Sequence, residues 1–331
     1  MEKIKVVQYG LGPIGQATAR LALGKESLEL VGAIDIDPGM VGRDVGEIVE
    51  CGKTGVAVSD DAQAVLKGAA GGCALHTTSS FVRSVAGQLE LCIANGVHVA
   101  SSTEELLLPD LRSPNIFDDL DAKAKAAGVT VLGTGVNPGF VMDSLPVFVT
   151  GVCDSVESVH VERFVDAATR RKPLQAKVGA GISVERFNKL KAEDKIGHRG
   201  LRESIEFIAR GLGWKLDEVT EDLQPMVADK PHETEYFEIQ RGQVTGIRNT
   251  GKGTAGGKTV ISLDLRMYVG CEDPHDEVRV EGSPPMTVRV VGGTAGDFAT
   301  AAAVVNAVPR VVAGAAGLKT MMDLSMPRII N

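Results

Sequence analysis

The run Ile4-Lys5-Val6-Val7-Gln8-Tyr9-Gly10-Leu11-Gly12-Pro13-Ile14-Gly15 decides the fold of this chain. Ile4–Tyr9 is short and rich in apolar and β-branched residues, as a buried strand requires, and a glycine turn follows it directly. Pro13–Leu23 then carries Ile14, Ala17 and Leu21 on one helical side, and Gly24 is placed to end the helix as a left-handed cap. Strand, glycine turn and helix in that order are the setting in which G-x-G-x-x-G binds a dinucleotide. Gly10 permits the tight turn, Gly12 lets the backbone approach the pyrophosphate, and Gly15 lets the helix lie on the strand. Gly10, Leu11, Gly12, Pro13, Ile14 and Gly15 are therefore candidate cofactor contacts, with backbone N–H groups and the helix dipole facing the phosphates. Asp35 closes the next strand 20 residues beyond Gly15, where its carboxylate can accept from ribose hydroxyls. Its charge repels a 2′-phosphate, so NAD is the expected cofactor, while Arg43 keeps NADP open.

The same alternation continues outward. Leu28–Ile34, Cys73–Thr78, Val97–Ser101 and Val129–Leu132 read as strands, and Ala62–Lys67, Phe81–Ala94 and Ile116–Ala127 as helices. The fold class is α/β: a doubly wound parallel sheet of the Rossmann type over residues 1–140, helices on both faces. Ligands of such sheets bind at the carboxyl ends of the strands. Here those ends read His76-Thr77-Thr78-Ser79-Ser80-Phe81, Ser101-Ser102-Thr103-Glu104-Glu105 and Gly133-Thr134-Gly135-Val136-Asn137-Pro138-Gly139-Phe140. Thr77, Thr78, Ser79 and Asn137 join the candidate cofactor contacts.

Beyond Pro146 the pattern changes to Val156–Val165, Glu233–Ile247, Lys258–Val269 and Met286–Val291, several of which alternate apolar with polar residues. Alternation fits a sheet with one buried and one exposed face. Residues 141–296 are expected to form a second α+β domain with an open mixed or antiparallel sheet, including helices at Val184–Ala192 and Leu201–Leu212. Gly292-Gly293 and Gly296 make a turn, with Asp297 expected to cap the apolar helix Asp297–Ala316. A helix of that composition has to be buried, and residues 297–331 are expected to pack back on the first domain.

The 331 residues include 35 basic and 43 acidic side chains, a net charge of −8, which argues against nucleic acid as a partner. No apolar run approaches the ~20 residues of a membrane span, and the opening lacks a secretory leader, so a cytoplasmic enzyme is expected. Cys51, Cys73, Cys92, Cys153 and Cys271 are odd in number and scattered, and the histidines lack ligand spacing. Neither a disulfide framework nor a metal site is expected.

Several further motifs carry a resemblance. Ser102-Thr103-Glu104-Glu105-Leu106, Gly135 to Phe140, Arg163 to Arg171, Pro173-Leu174-Gln175, Gly179-Ala180-Gly181 and Gly197 to Ser204 run over nearly the whole chain. Together they resemble the 2,4-diaminopentanoate dehydrogenase and native amine dehydrogenase family, within the dihydrodipicolinate-reductase-like group. The resemblance implies NAD(P)-dependent oxidative deamination of a primary amine, or reductive amination of a ketone or aldehyde with ammonia. It also implies a homodimer formed through the second-domain sheet. Dihydrodipicolinate reductases carry paired histidines where this chain reads ERFVDAATRRKPLQ, so that reaction itself is not expected.

Such chemistry needs a carboxylate beside the reacting carbon, to hold the amine and accept a proton. Glu104 at a strand end is the first candidate, in line with the family's glutamate in this loop, and Glu105 the alternative. Substrate-binding candidates are Asn137, Phe140, Arg163 and His198. Arg163 sits in an otherwise apolar strand, where its charge needs a substrate carboxylate or a buried acid such as Asp166. Arg171 and Arg199 are other possible carboxylate anchors, while Phe140, Met142 and Phe164 could wall a pocket for a simple alkyl amine. Two alternative readings are an imine or aldehyde reductase of the homoserine dehydrogenase or dihydrodipicolinate reductase kind, and a non-catalytic dinucleotide sensor.

Overall fold

Central strands of a parallel sheet are covered on both faces, and the sequence supplies apolar side chains for both. In β1 (Ile4–Tyr9), Val6, Val7 and Tyr9 are buried. The computed structural model describes residues 2–331, which divide into two compact units, Met1–Phe140 with Ala295–Asn331, and Val141–Thr294.

In the first unit β1 is followed by α1 (Pro13–Leu23), β2 (Leu28–Ile34), α2 (Val45–Ile48), β3 (Val58–Ser59), α3 (Ala62–Lys67) and β4 (Cys73–His76). Next come α4 (Val82–Ala94), β5 (His98–Ser101), a 3-10 turn (Glu104–Leu107), α5 (Pro109–Arg112), α6 (Pro114–Ala127) and β6 (Thr130–Gly133). The sheet runs β6-β5-β4-β1-β2-β3, all parallel, and a short strand Gly317–Lys319 extends it beyond β6. Val7, Ile34, Ala74, Val85, Leu89, Val99 and Val131 anchor one core cluster. Leu11, Ala19, Ala33, Val45 and Val58 form another beneath the glycine turn. The helix Gly296–Val312 belongs to this unit and buries Val304, Val305, Val308 and Val311.

Two local expectations are corrected. Gly24 ends α1 with φ −83°, a right-handed conformation, so it does not serve as a left-handed cap. The helix Gly296–Val312 begins with Ala295 in the cap position; Asp297 lies inside its first turn, where its charge complements the dipole.

The second unit comprises α7 (Ser144–Val149), β7 (Ser155–Asp166), α8 (Lys172–Lys177), α9 (Val184–Ala192), α10 (Leu201–Gly211), β8 (Glu218–Val227), β9 (His232–Glu233) and β10 (Glu238–Ile239). They are followed by β11 (Val244–Ala255), β12 (Lys258–Tyr268), β13 (His275–Ser283) and β14 (Met286–Val291). The main sheet runs β14-β13-β7-β12-β11-β8 and is mixed, with β7 and β12 parallel and the other pairs antiparallel. The expected strand Glu233–Ile247 is instead two short strands and the start of β11, broken where Gly242 turns at φ +87°. Leu201 and Ile205 of α10 pack on Gly251 of β11, on the sheet face that also carries Leu263 and Val161. The opposite face is ionic: Asp264 holds Arg248 and Arg266, and Glu277 holds Arg279 and Arg289. No helix among the described residues is long and apolar enough to cross a membrane.

Candidate active site

The glycine turn shows three different steric demands. Gly10 has φ +90°, a region that side chains disfavour. At Gly15 a Cβ would stand 1.9 Å from the Gly10 carbonyl oxygen, so α1 can cross β1 only without one. At Gly12 a Cβ would meet nothing within 4 Å. The fold itself does not need that glycine, and the space in front of it is open. No side chain caps α1, whose N-terminus faces the same space. These features fit a dinucleotide pyrophosphate. Gly12→Ala is accordingly expected to fold with wild-type thermal stability and lose dinucleotide affinity, whereas Gly15→Ala unfolds or loses several °C in melting temperature. Equal stability losses in the two variants, measured by thermal denaturation beside dinucleotide titration, would refute this division.

Asp35 is half-exposed at the end of β2. Its Oδ2 accepts from the Leu11 N–H at 2.5 Å and its Oδ1 from the Asp37 N–H at 2.9 Å, which ties β2 to the glycine turn. Arg43 is exposed, with a guanidinium nitrogen 3.4 Å from the Gly39 carbonyl.

The hydroxyls expected to face cofactor are largely used within the protein. Thr77 Oγ1 accepts from Gln8 Nε2 at 2.9 Å and donates toward the Gly10 carbonyl at 3.0 Å, bracing the turn. Thr78 Oγ1 donates to Gln88 Oε1 at 2.6 Å, and the Ser79 carbonyl accepts from Thr103 Oγ1 at 2.8 Å. Asn137 keeps Oδ1 enclosed without a hydrogen-bond partner, an expensive arrangement that a ligand donor would relieve.

Glu104 opens the 3-10 turn Glu104–Leu107 and is half-buried. This turn rests directly on the end of β6: a Cβ at Gly133 would come within 2.4 Å of Leu106 backbone atoms. Glu105 has a structural partner, because its Oε2 accepts from the Val82 N–H at 2.9 Å and so complements the N-terminus of α4.

Beneath these loops lies a buried network that sequence reasoning missed. His76 is fully buried, with Nδ1 2.8 Å from Ser101 Oγ and Nε2 2.8 Å from Gln88 Oε1. Ser101 Oγ donates to Thr103 Oγ1 at 3.0 Å, which links the ends of β4 and β5 to the Ser79 loop. The available signal was a histidine and a glutamine, His76 and Gln8, inside otherwise apolar strands. Burial pushes the His76 pKa down to about 4, partly offset by its bond to Gln88. An unfolded histidine titrates near 6.5, so the unfolded chain binds this proton first. Stability therefore falls as pH drops from about 6.5 toward 4, by about 3 kcal/mol from this group. Denaturant titrations at stepped pH should show a flatter acid limb for His76→Gln than for wild type; identical slopes would refute the assignment.

In the second unit Arg163 is only 4% exposed. Its Nη1 pairs with Asp276 Oδ1 at 2.5 Å and its Nη2 donates to the Thr294 carbonyl at 2.9 Å. The buried acid is thus Asp276, and Asp166 instead accepts from the Ala168 N–H at 3.0 Å. Asp276 also accepts from the Thr294 N–H, at 2.7 Å. Burial pulls the Arg163 pKa below the ordinary guanidinium value, against the pull of Asp276. His198 stands between Gly197 and Gly200, with φ of +115° and +104°. Part of the residue reaches the surface, but Nε2 is enclosed without a hydrogen-bond partner. Burial, then the charges of Lys177 and Arg163, lower its pKa to about 3, leaving a neutral ring at physiological pH. Arg199 pairs with Asp194. Of the proposed apolar wall, Phe140 is exposed, Met142 is fully buried, and the Phe164 ring lies 4.2 Å beneath Arg266. All five cysteines are free, and Cys73 and Cys92 are buried. Among the described residues no cluster of three or more His, Cys, Asp or Glu side chains could hold a metal ion.

Comparison with known proteins gives a consistent result. Residues 4–105 match the N-terminus of dihydrodipicolinate reductase. Residues 140–331 match the C-terminal domain of 2,4-diaminopentanoate dehydrogenase. A 2,4-diaminopentanoate dehydrogenase of Acetoanaerobium sticklandii is 32% identical over 338 residues, covering 100% of this chain and 96% of its own. An amine dehydrogenase of Streptomyces virginiae is 26% identical, covering 93% and 91%. The solved amine dehydrogenase of Mycobacterium smegmatis superposes with a TM-score of 0.85 at 25% identity, covering 98% and 97%. The likeness extends through both units, and the chain belongs to the 2,4-diaminopentanoate dehydrogenase family.

Proposed function

We propose that this protein is an NAD(P)-dependent amine dehydrogenase. It oxidises the CH–NH2 group of a primary amine and, in reverse, aminates a ketone or aldehyde with ammonia. The observation that carries this reading is the match over the entire chain to a relative named for that reaction type. The dinucleotide supplies the hydride acceptor. The amine loses its α-hydrogen as hydride, water adds to the resulting imine carbon, and ammonia leaves, giving a carbonyl, reduced dinucleotide and one proton.

The residues of this chain bind, orient and move that proton. The glycine turn takes the pyrophosphate, and Asp35, offering only acceptors and a negative charge, favours NAD over NADP. Glu104 holds the amine and accepts its proton, while Glu105 is left to support α4. Asn137 Oδ1 accepts from the carboxamide or the amine. His198 is the second unit's candidate for substrate recognition, a neutral ring able to donate or accept. Because Asp276 and Thr294 already occupy the Arg163 guanidinium, a substrate carboxylate needs another anchor. The predominantly ionic face of the second-unit sheet is the proposed homodimer surface, to be checked by sedimentation of wild type against Arg266→Glu.

The deciding assay is NAD- and NADP-linked oxidation of a panel containing 2,4-diaminopentanoate and simple primary amines, with wild-type protein. Amine-dependent formation of reduced dinucleotide, faster with NAD, is the expected result. Dinucleotide binding without turnover of any amine in either direction would overturn the reading.

A further inference from the structure

Near its carboxyl end the apolar helix Gly296–Val312 carries Arg310, which is only 8% exposed and is followed by the fully buried Val311. Its Nη1 donates to the Ser325 carbonyl at 2.7 Å, and its Nε is enclosed without an acceptor. Among the described residues no carboxylate pairs with it. Asp323 lines the same cavity as Arg310 without pairing with it; its carboxylate accepts from the Thr320 N–H and hydroxyl, both at 2.7 Å. A guanidinium withdrawn from water without a counter-charge is costly, and folds keep such an arrangement where something else supplies the charge.

Arg310 lines a cavity of about 420 Å³ within the first unit. Arg328, which is exposed, contributes a second positive charge to its lining and the exposed Asp323 one negative charge, so the lining is net positive by one; Pro309, Ala313 and Leu324 contribute apolar surface. The cavity lies at the amino-terminal end of the parallel strands, because Thr130, the first residue of β6, donates to the Gly314 and Ala315 carbonyls at 3.2 and 3.1 Å. The glycine turn and the Glu104 turn follow the carboxyl ends of β1 and β5, at the opposite end of the parallel strands. Arg310 thus belongs to neither the dinucleotide cradle nor the proposed catalytic turn.

We propose that this cavity binds a small molecule bearing an oxyanion, a carboxylate or a phosphate. The acidic group pairs with Arg310 and Arg328, and the carbon skeleton rests on Pro309, Ala313 and Leu324. A volume of this size admits a small metabolite and excludes a polymer.

Calorimetric titration of the whole protein, kept saturated with dinucleotide so that the glycine turn is filled, tests the site. The probes are inorganic phosphate and glycerol phosphate in one series, and acetate and succinate in the other. One series is expected to bind with unit stoichiometry, and the responding series identifies the oxyanion. Arg310→Met weakens that binding about 10- to 100-fold, the value of a charge-assisted hydrogen bond or two. Arg328→Met, at an exposed position that folding does not depend on, weakens it less and serves if Arg310→Met fails to fold. No binding of either series to wild type, or binding unchanged in the variants that fold, overturns the proposal.

Discussion

Glu104→Gln is expected to lower the turnover of amine oxidation by about 10²- to 10⁴-fold, the usual contribution of a positioned acid or base. The amide has the volume of the carboxylate and keeps one acceptor oxygen, so the 3-10 turn over Gly133 should hold its place and dinucleotide affinity should be unchanged. What is lost is the ability to take a proton from the amine. Glu105→Gln makes the contrast. Its Oε2 accepts from the Val82 N–H, and glutamine can keep that bond, so the lost charge at the N-terminus of α4 should cost about 0.5 kcal/mol and leave turnover near that of wild type. Initial rates, dinucleotide titrations and melting curves on the two variants separate the residues. A larger fall in turnover for Glu105→Gln would transfer the catalytic role to it, and no fall in either would remove both.

Arg163→Met should destabilise the second unit by about 3–5 kcal/mol, because it leaves Asp276 charged and buried with only the Thr294 N–H for company. For a unit of this size each kcal/mol moves the melting temperature by about 2–4 °C, so the transition should fall well below that of wild type. Removing both charges in Arg163→Met with Asp276→Asn should recover much of the loss, since neither partner is then stranded. Chemical denaturation of the four proteins of this cycle gives the coupling directly. Additive losses would mean that the pair, despite its 2.5 Å contact, contributes little. A wild-type melting curve for the single variant, with affinity for acidic substrates lost, would restore Arg163 as a substrate anchor.

The parts of the fold that sequence made legible are those where local pattern and tertiary environment agree. Pro13–Leu23, Ala62–Lys67, Val184–Ala192 and Met286–Val291 begin and end where their periodicities do. β13 is different: Glu277, Arg279 and Glu281 alternate with Asp276, Val278 and Val280, and one buried position is itself the acid paired with Arg163. Its apolar signal is diluted by a charge whose partner lies far away in sequence. β8 bears mostly exposed side chains, and Gly317–Lys319 is too short for any period, so both are strands only by virtue of the neighbours they pair with. The glycine turn was legible because steric necessity is local. The His76–Ser101–Thr103 network was not, because hydrogen bonds between strand ends require the sheet order to be known. Glu104 and Glu105 are adjacent in a turn and could not be ranked from the residues alone. The Val82 N–H gives Glu105 a structural role that its place in the sequence does not reveal.

The bond from the Leu11 N–H to Asp35 has a consequence for anyone who would redesign the cofactor preference of this protein, and for any lineage that drifted in that direction. Admitting a 2′-phosphate calls for removing the negative charge at the end of β2, yet that charge also fixes the second residue of the glycine turn. A change to Gly or Ala would open room for the phosphate and loosen the loop meant to grip the rest of the molecule. A change to Ser or Asn would retain an acceptor for Leu11 without the repulsion. On the proposed NAD reading, selectivity and grip are mechanically joined at one side chain, so the path between the two cofactors runs through small polar residues rather than through the smallest ones.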